Sequence, residues 1–167
     1  WAKLNPDAFS RDDLSISDVL NSRMVSDPLT VRDCCLVTDG AAAVVMTRAD
    51  RARDLRQKPA YLLGAASASW HRNISSLADL TVTATTEAAP RAYAQAGVTP
   101  AEIDVVELYD AFTINTILFV EDLGFCPKGE GGRFVAAGGI APGGRLPVNT
   151  NGGGLSGAHP GLYGVFT

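Results

Sequence analysis

The feature that most constrains this chain is a six-residue, mainly apolar run, Ile103–Leu108 (IDVVEL), ended by Tyr109-Asp110 and followed at once by a second apolar stretch. A run of that length is too short for a stable helix and reads as a buried strand. The stretch after it, Ala111–Leu123, is apolar nearly all round and stops at Gly124, which reads as a helix pressed into a core. Upstream, a helix opens at Thr85 or Thr86 with Glu87 in its first turn, tolerates Pro90, and ends at Gly97, before a Thr99–Glu102 turn. The segment YLLGAASAS, residues 61–69, reads as another strand. Strand, helix, strand, helix at this spacing predicts an α/β layered domain with Ile103–Leu108 as a central strand and Ala111–Leu123 packed on it.

The first third of the chain is mixed. SISDVLNSRM predicts a helix capped by Ser17 or Asp18, and Asp27–Thr30 predicts a turn. In TDGAAAVVM, residues 38–46, small and β-branched side chains without charge predict burial. A charged helix over 49–57 ends before Pro59, and the change of character there divides the chain into 1–58 and 59–167. From Gly129 glycine is dense but is interrupted by apolar residues, Asn, His and Pro, a pattern suited to close backbone approach rather than to a flexible linker.

A formal charge of −4 argues against a nucleic-acid partner. Three cysteines, two of them adjacent (Cys34, Cys35) and one distant (Cys126), do not make a disulfide framework, and no metal-ligand spacing occurs. A reducing, cytoplasmic setting is expected. The longest apolar stretch, Ala111–Val120, is too short to cross a bilayer, and no signal peptide is legible in a chain that opens on Trp1.

Strand 103–108 delivers Tyr109 and Asp110 to its C-terminal end, where α/β sheets bind ligands. Some way beyond comes Asn151-Gly152-Gly153-Gly154 and then His159-Pro160. A histidine behind a glycine-rich turn suits hydrogen bonding to a developing oxyanion or proton transfer. These segments resemble the thiolase superfamily: VELYDAF is similar to its strand-end motif, NTNGGGLSGAHPGLYG to its Asn-Gly-Gly segment leading to Gly-His-Pro, and TDGAAAVVM to the segment closing its N-terminal half. ELYDAF, EDLGFCPKGEGG and LPVNTNGG look most like sterol-carrier-type thiolases and bacterial lipid-transfer relatives, some of them steroid side-chain aldolases. Ala158 replaces the family's Gly before the His, and a shorter turn brings in Tyr163.

The resemblance implies the C-terminal half of a layered α/β/α thiolase-like fold, partial at its end. It implies an enzyme of the acyltransferase/thiolase superfamily that makes or breaks a C–C bond in an acyl-CoA thioester, by Claisen-type acyl transfer or by retro-aldol cleavage of a steroid or fatty acyl-CoA. A non-catalytic lipid carrier or assembly subunit is the alternative. His159, Tyr109, Tyr163 and Asp110 are the catalytic candidates. Tyr109 and Tyr163 can equally be packed aromatics, and Asp110 a plain helix cap. Asn151, Gly152, Gly153 and Cys35 are the substrate-binding candidates, Cys35 falling near the pantetheine arm of CoA in the family, although all three cysteines also fit as small buried hydrophobes. His71, in a loop with Trp70 and Arg72, fits a bland role. No cofactor is implied beyond coenzyme A as part of the substrate, and no metal. A thiolase-type homodimer and an OB-fold partner protein are expected. The family's nucleophilic Cys lies in its N-terminal half, so this chain by itself is expected to be inactive and not to turn over acyl-CoA.

Overall fold

The computed structural model describes residues 1–167. Its first helix, α1 (Ile16–Leu20), starts one residue earlier than Ser17 because Ser15 caps it. The Ser15 hydroxyl accepts from the Asp18 amide, and Asp18 in turn accepts from the Ser15 amide at 2.8 Å, so Asp18 is the reciprocal partner of the cap rather than the cap itself. Strands β1 (Met24–Ser26) and β2 (Leu29–Thr30) pair antiparallel, Met24 opposite Thr30, across the expected turn at Asp27-Pro28.

The segment after β2 is laced onto the C-terminal part of the chain. Thr113 Oγ1 donates to Asp33 at 2.8 Å, and Cys34 bridges Phe112. The Cys35 amide donates to the Ala111 carbonyl at 2.8 Å and the Leu36 amide to the Gly154 carbonyl at 2.9 Å. At Thr38 this arm reaches the backbone of His159.

Two sequence expectations fail beyond that point. Residues 41–46 are neither regular nor buried, with Val44, Val45 and Met46 at least three-quarters exposed. Residues 61–69 form no regular strand, and Tyr61, Leu62 and Leu63 are exposed. Apolar pattern states a demand for burial, and in this chain no element supplies the covering surface. The charged helix also shrinks to α2 (Ala49–Ala52).

Helix α3 (Thr85–Ala96) runs to Gly97, whose φ of +71° makes it the left-handed terminator. No side chain caps its start; Ala84 holds the N-cap position, and the Thr83 hydroxyl accepts from the Thr85 amide at 3.3 Å. Pro90 sits inside the helix without ending it.

Helix α4 (Thr113–Asp122) is shorter at its start than Ala111 because Ala111 and Phe112 are drawn toward the 34–35 arm. Phe112, not Asp110, occupies its N-cap position. Its last turn is pinned by Lys128, which reaches Asp122 at 2.5 Å, Glu121 at 3.2 Å and the Thr81 carbonyl at 2.7 Å. Helix α5 (Gly131–Ala136) packs beside α4.

Ile103–Leu108 is extended and buried at Val106 and Leu108, but it is not a multi-stranded central strand. It forms one parallel bridge, Val106 to Val148. The Val106 amide donates to Pro147 and the Asn149 amide to Val106. The ladder stops there because Asn149 turns left-handed, φ +52°, and its side-chain Oδ1 accepts the Leu108 amide at 2.6 Å in place of a backbone carbonyl. Val106, Leu108, Val120, Leu146 and Val148 close into the core, with Val120 and Leu146 fully buried. That core fixes the end of the 103–108 segment against the glycine-rich tail, and thereby fixes the site.

Candidate active site

Where the extended segment ends, Asp110 is 3% exposed. Its Oδ1 accepts the Gly154 amide at 2.6 Å and its Oδ2 the Leu155 amide at 3.3 Å. The carboxylate therefore caps the glycine turn 44 residues away rather than the adjoining helix. A single π turn over Gly153–Gly157 results, entered through Gly152 at φ +106° and Gly153 at φ +66°. Asn151 braces the turn from the other side: its Oδ1 accepts from the Gly153 amide at 2.8 Å and the Tyr163 hydroxyl at 3.2 Å, and its Nδ2 donates to Phe166. The amides of Gly152, Gly153, Gly154 and Leu155 are thus all engaged within the protein. The turn shapes the site; it offers none of those donors to a ligand.

This architecture brings three aromatic rings together across 54 residues of sequence. Tyr109 and His159 lie 5.2 Å apart between ring centroids, His159 and Tyr163 5.9 Å, and Tyr109 and Tyr163 6.5 Å. Gly154 is the reason the imidazole can sit there, since a Cβ at that position would stand 2.5 Å from His159 Cδ2. The His159 amide is held by Thr38 Oγ1 at 2.8 Å, while its Nε2 is buried with no partner. Buried polar groups are nearly always paired, so an unpartnered ring nitrogen sets this imidazole apart.

Tyr163 is buried, and its phenol is pushed up to about 12. Burial is the main cause; the Asn151 hydrogen bond opposes it, and the Asp110 and Glu107 carboxylates add to it. Near neutral pH Tyr163 is a protonated donor, not a phenolate base. Tyr109 is half exposed and lines, with Glu107, Leu108, Leu162, Tyr163 and Val165, a cavity of about 380 Å³.

Cys35 lies on a second cavity, of about 840 Å³, together with Asp110, Asn149 and Gly152. Burial pushes its thiol up, with Cys34 and Asp110 adding to the effect. Cys126 packs against the core near Phe125, and its thiol is also raised, first by burial. Neither thiol is in a setting that favours a thiolate. The His71 loop is tied to α3, Trp70 Nε1 donating to Glu87 at 2.8 Å.

Three residues of the site escaped the sequence reading. Thr38 and Asn149 position His159 and Leu108, as described. Glu107 Oε1 accepts the Thr150 amide at 3.0 Å and the Thr150 hydroxyl at 2.7 Å, while Oε2 is buried without a partner. An acid between Val106 and Leu108, near the end of IDVVEL, was the signal for it.

The family described as Thiolase C-terminal domain-like matches residues 66–167. The acetyl-CoA acetyltransferase of Methanothermobacter thermautotrophicus is 44% identical over 95% of this chain and 42% of its own length. The 17-hydroxy-3-oxo-4-pregnene-20-carboxyl-CoA lyase of Mycobacterium tuberculosis is 42% identical over 93% of this chain and 42% of its own. The steroid side-chain-cleaving aldolase of Thermomonospora curvata is 39% identical over 95% and 42%. The solved Ltp2-ChsH2(DUF35) aldolase superposes at a TM-score of 0.85 and 32% identity, over 99% of this chain and 44% of that one. The chain therefore spans less than half the length of the relatives it matches, and its α/β fold is thiolase-like throughout. No helix in it is long and apolar enough to cross a membrane. By its matched family, its motifs and its fold, the chain belongs to the thiolase superfamily.

Proposed function

We propose that this chain carries the proton-transfer and thioester-binding groups of an acyl-CoA site at which a C–C bond beside the carbonyl is made or broken. The observation that carries the reading is the convergence of the Tyr109, His159 and Tyr163 rings, together with an unpartnered His159 Nε2. In its Nε2–H tautomer His159 donates to the thioester oxygen, where negative charge develops when the α-carbon becomes an enolate. Tyr163 keeps its proton and holds Asn151, which holds the turn. Tyr109, half exposed at the cavity, is the group placed to pass a proton to or from the acyl chain.

Between the two family chemistries, retro-aldol cleavage is favoured, because it needs a base for the β-hydroxyl and an enolate-stabilising site rather than a nucleophilic thiol, and Tyr109 and Tyr163 flank His159. In that reaction the β-hydroxyl loses its proton, the Cα–Cβ bond breaks as a carbonyl forms at Cβ, and the electron pair moves to the enolate, which is protonated at Cα. The proposal includes the division at residues 58 and 59, pairing with a second copy, an OB-fold partner, a cytoplasmic setting and no cofactor beyond the substrate's own coenzyme A.

The groups assigned here suffice to exchange an α-proton even without the complete C–C reaction. In D2O, acetyl-CoA with the wild-type chain should lose its α-proton NMR signal faster than in buffer, and His159→Ala should remove about tenfold or more of that acceleration. Rates equal to buffer for both chains, with acetyl-CoA still bound, would replace the enzyme reading by that of a carrier.

A further inference from the structure

We infer that Asn5 is a positioning residue for the acyl-CoA site, its side-chain amide holding the Asn151 carbonyl and, through Asn151, the glycine turn and the Tyr163 hydroxyl. The inference rests on the acyl-CoA reading above and adds to it a residue 146 positions away from its partner in sequence.

The turn needs bracing because of its composition. Four of the six residues Gly152–Gly157 are glycine, so the backbone has many alternatives and few side chains of its own to choose among them. Asp110 makes part of the choice, and residues 1–10 supply a second set of contacts. The Phe9 amide donates to the Gly157 carbonyl and the Ser10 amide to the Ser156 carbonyl, both at 2.9 Å. Trp1 Nε1 donates to the Ile140 carbonyl at 2.8 Å. Ala2 lies so close that a Cβ on Gly152 would stand 3.0 Å from its methyl.

Within this set Asn5 holds the entry to the turn. Its Nδ2 donates to the Asn151 carbonyl at 2.8 Å, and no other donor in the protein reaches that carbonyl. The carbonyl belongs to the peptide that leads into Gly152, at φ +106°, where the backbone rotates at little cost. The donor therefore decides which way the peptide faces. The Asn151 side chain accepts from the Gly153 amide and the Tyr163 hydroxyl, so a shift of the Asn151 backbone disturbs both.

Asn5 is itself held at every polar atom. Its amide donates to the Ala2 carbonyl at 3.1 Å, and its carbonyl accepts from the Ala8 amide at 3.2 Å. Its Oδ1 accepts from the Asp7 amide at 3.0 Å, which leaves Nδ2 to face Asn151. Asn5 lines neither cavity, so it reaches the reaction only through Asn151.

The two ends of the Asn5 amide separate positioning from a local folding role. Asn5→Asp keeps the acceptor for the Asp7 amide and sets an oxygen, not a donor, against the Asn151 carbonyl. Asn5→Ser also keeps an acceptor for Asp7, carries no charge, and is too short to reach Asn151. The measurement is α-proton exchange of acetyl-CoA in D2O over a range of acetyl-CoA concentrations, with urea unfolding of the same chains. In both variants the saturating exchange rate should fall about tenfold, the half-saturating concentration staying within about twofold of wild type because no ligand contact is lost. A role confined to folding would lower the unfolding midpoint and leave the rate per folded chain as in wild type. That result overturns the inference and leaves the acyl-CoA reading standing. A raised half-saturating concentration at an unchanged rate, or failure of both variants to fold, does the same. Failure of the wild-type chain to accelerate exchange at any acetyl-CoA concentration overturns both.

Discussion

Replacing Asp110 by alanine should lower the unfolding free energy by about 3 kcal/mol, because the carboxylate is buried and two backbone amides, of Gly154 and Leu155, depend on it. Neither amide has another acceptor within the protein. Asp110→Asn keeps one acceptor oxygen and should lose about half as much. Urea unfolding of the three chains measures this directly. The same variant also tests the site, since the π turn it holds carries the glycine against which His159 rests. A loss under about 1 kcal/mol for Asp110→Ala would mean that the turn holds its shape unaided, and the account of how Asp110 builds the site would fail.

The second large effect is at Gly154. Its φ is ordinary, so alanine is not excluded by backbone conformation; the obstacle is space. The added methyl would stand 2.5 Å from His159 Cδ2 and 3.0 Å from Asp110 Oδ1. Either the imidazole moves or the turn does, and overpacking of that kind costs about 1–3 kcal/mol. The functional consequence should exceed the structural one, with α-proton exchange falling to the level of His159→Ala. Gly161→Ala is the matching control, because a methyl there meets nothing and the backbone is unstrained. It should leave both stability and exchange unchanged. A Gly154→Ala chain with wild-type exchange would show that His159 is not held where the reaction needs it.

Much of the site was legible before any coordinates. The strand-end pair Tyr109-Asp110 and the Gly-rich approach to His159 each carry local signals, and their convergence followed from the expectation that α/β ligands bind at strand ends. Helix α3 was legible for the same reason: Gly97 is a stop signal that needs no knowledge of the rest of the fold. The failures share a physical cause. Asp110 before a helix looks like an N-cap, and nothing local says that amides 44 residues later compete for its carboxylate and win. Residues 41–46 read as buried and residues 61–69 as a strand, since apolar sequence records that a segment needs a partner without saying where the partner is. The run 103–108 reads as a full strand, because the pattern does not reveal that the Asn149 side chain takes the place of the next ladder bond. Glu107 was the one missed residue with a visible signature, a charge where the pattern called for none.

The central claim is that an acyl-CoA engages the Tyr109–His159–Tyr163 cluster. Titrating isotope-labelled chain with acetyl-CoA and following backbone amide and imidazole NMR signals tests it most directly. The account predicts shifts concentrated at Glu107–Asp110, at Gly152–Leu155 and at His159–Tyr163, with the His159 Nε2 resonance among the largest as its unpartnered nitrogen gains a bond. Shifts confined to the basic stretch Arg48–Lys58, or no saturable shifts at all, would contradict it.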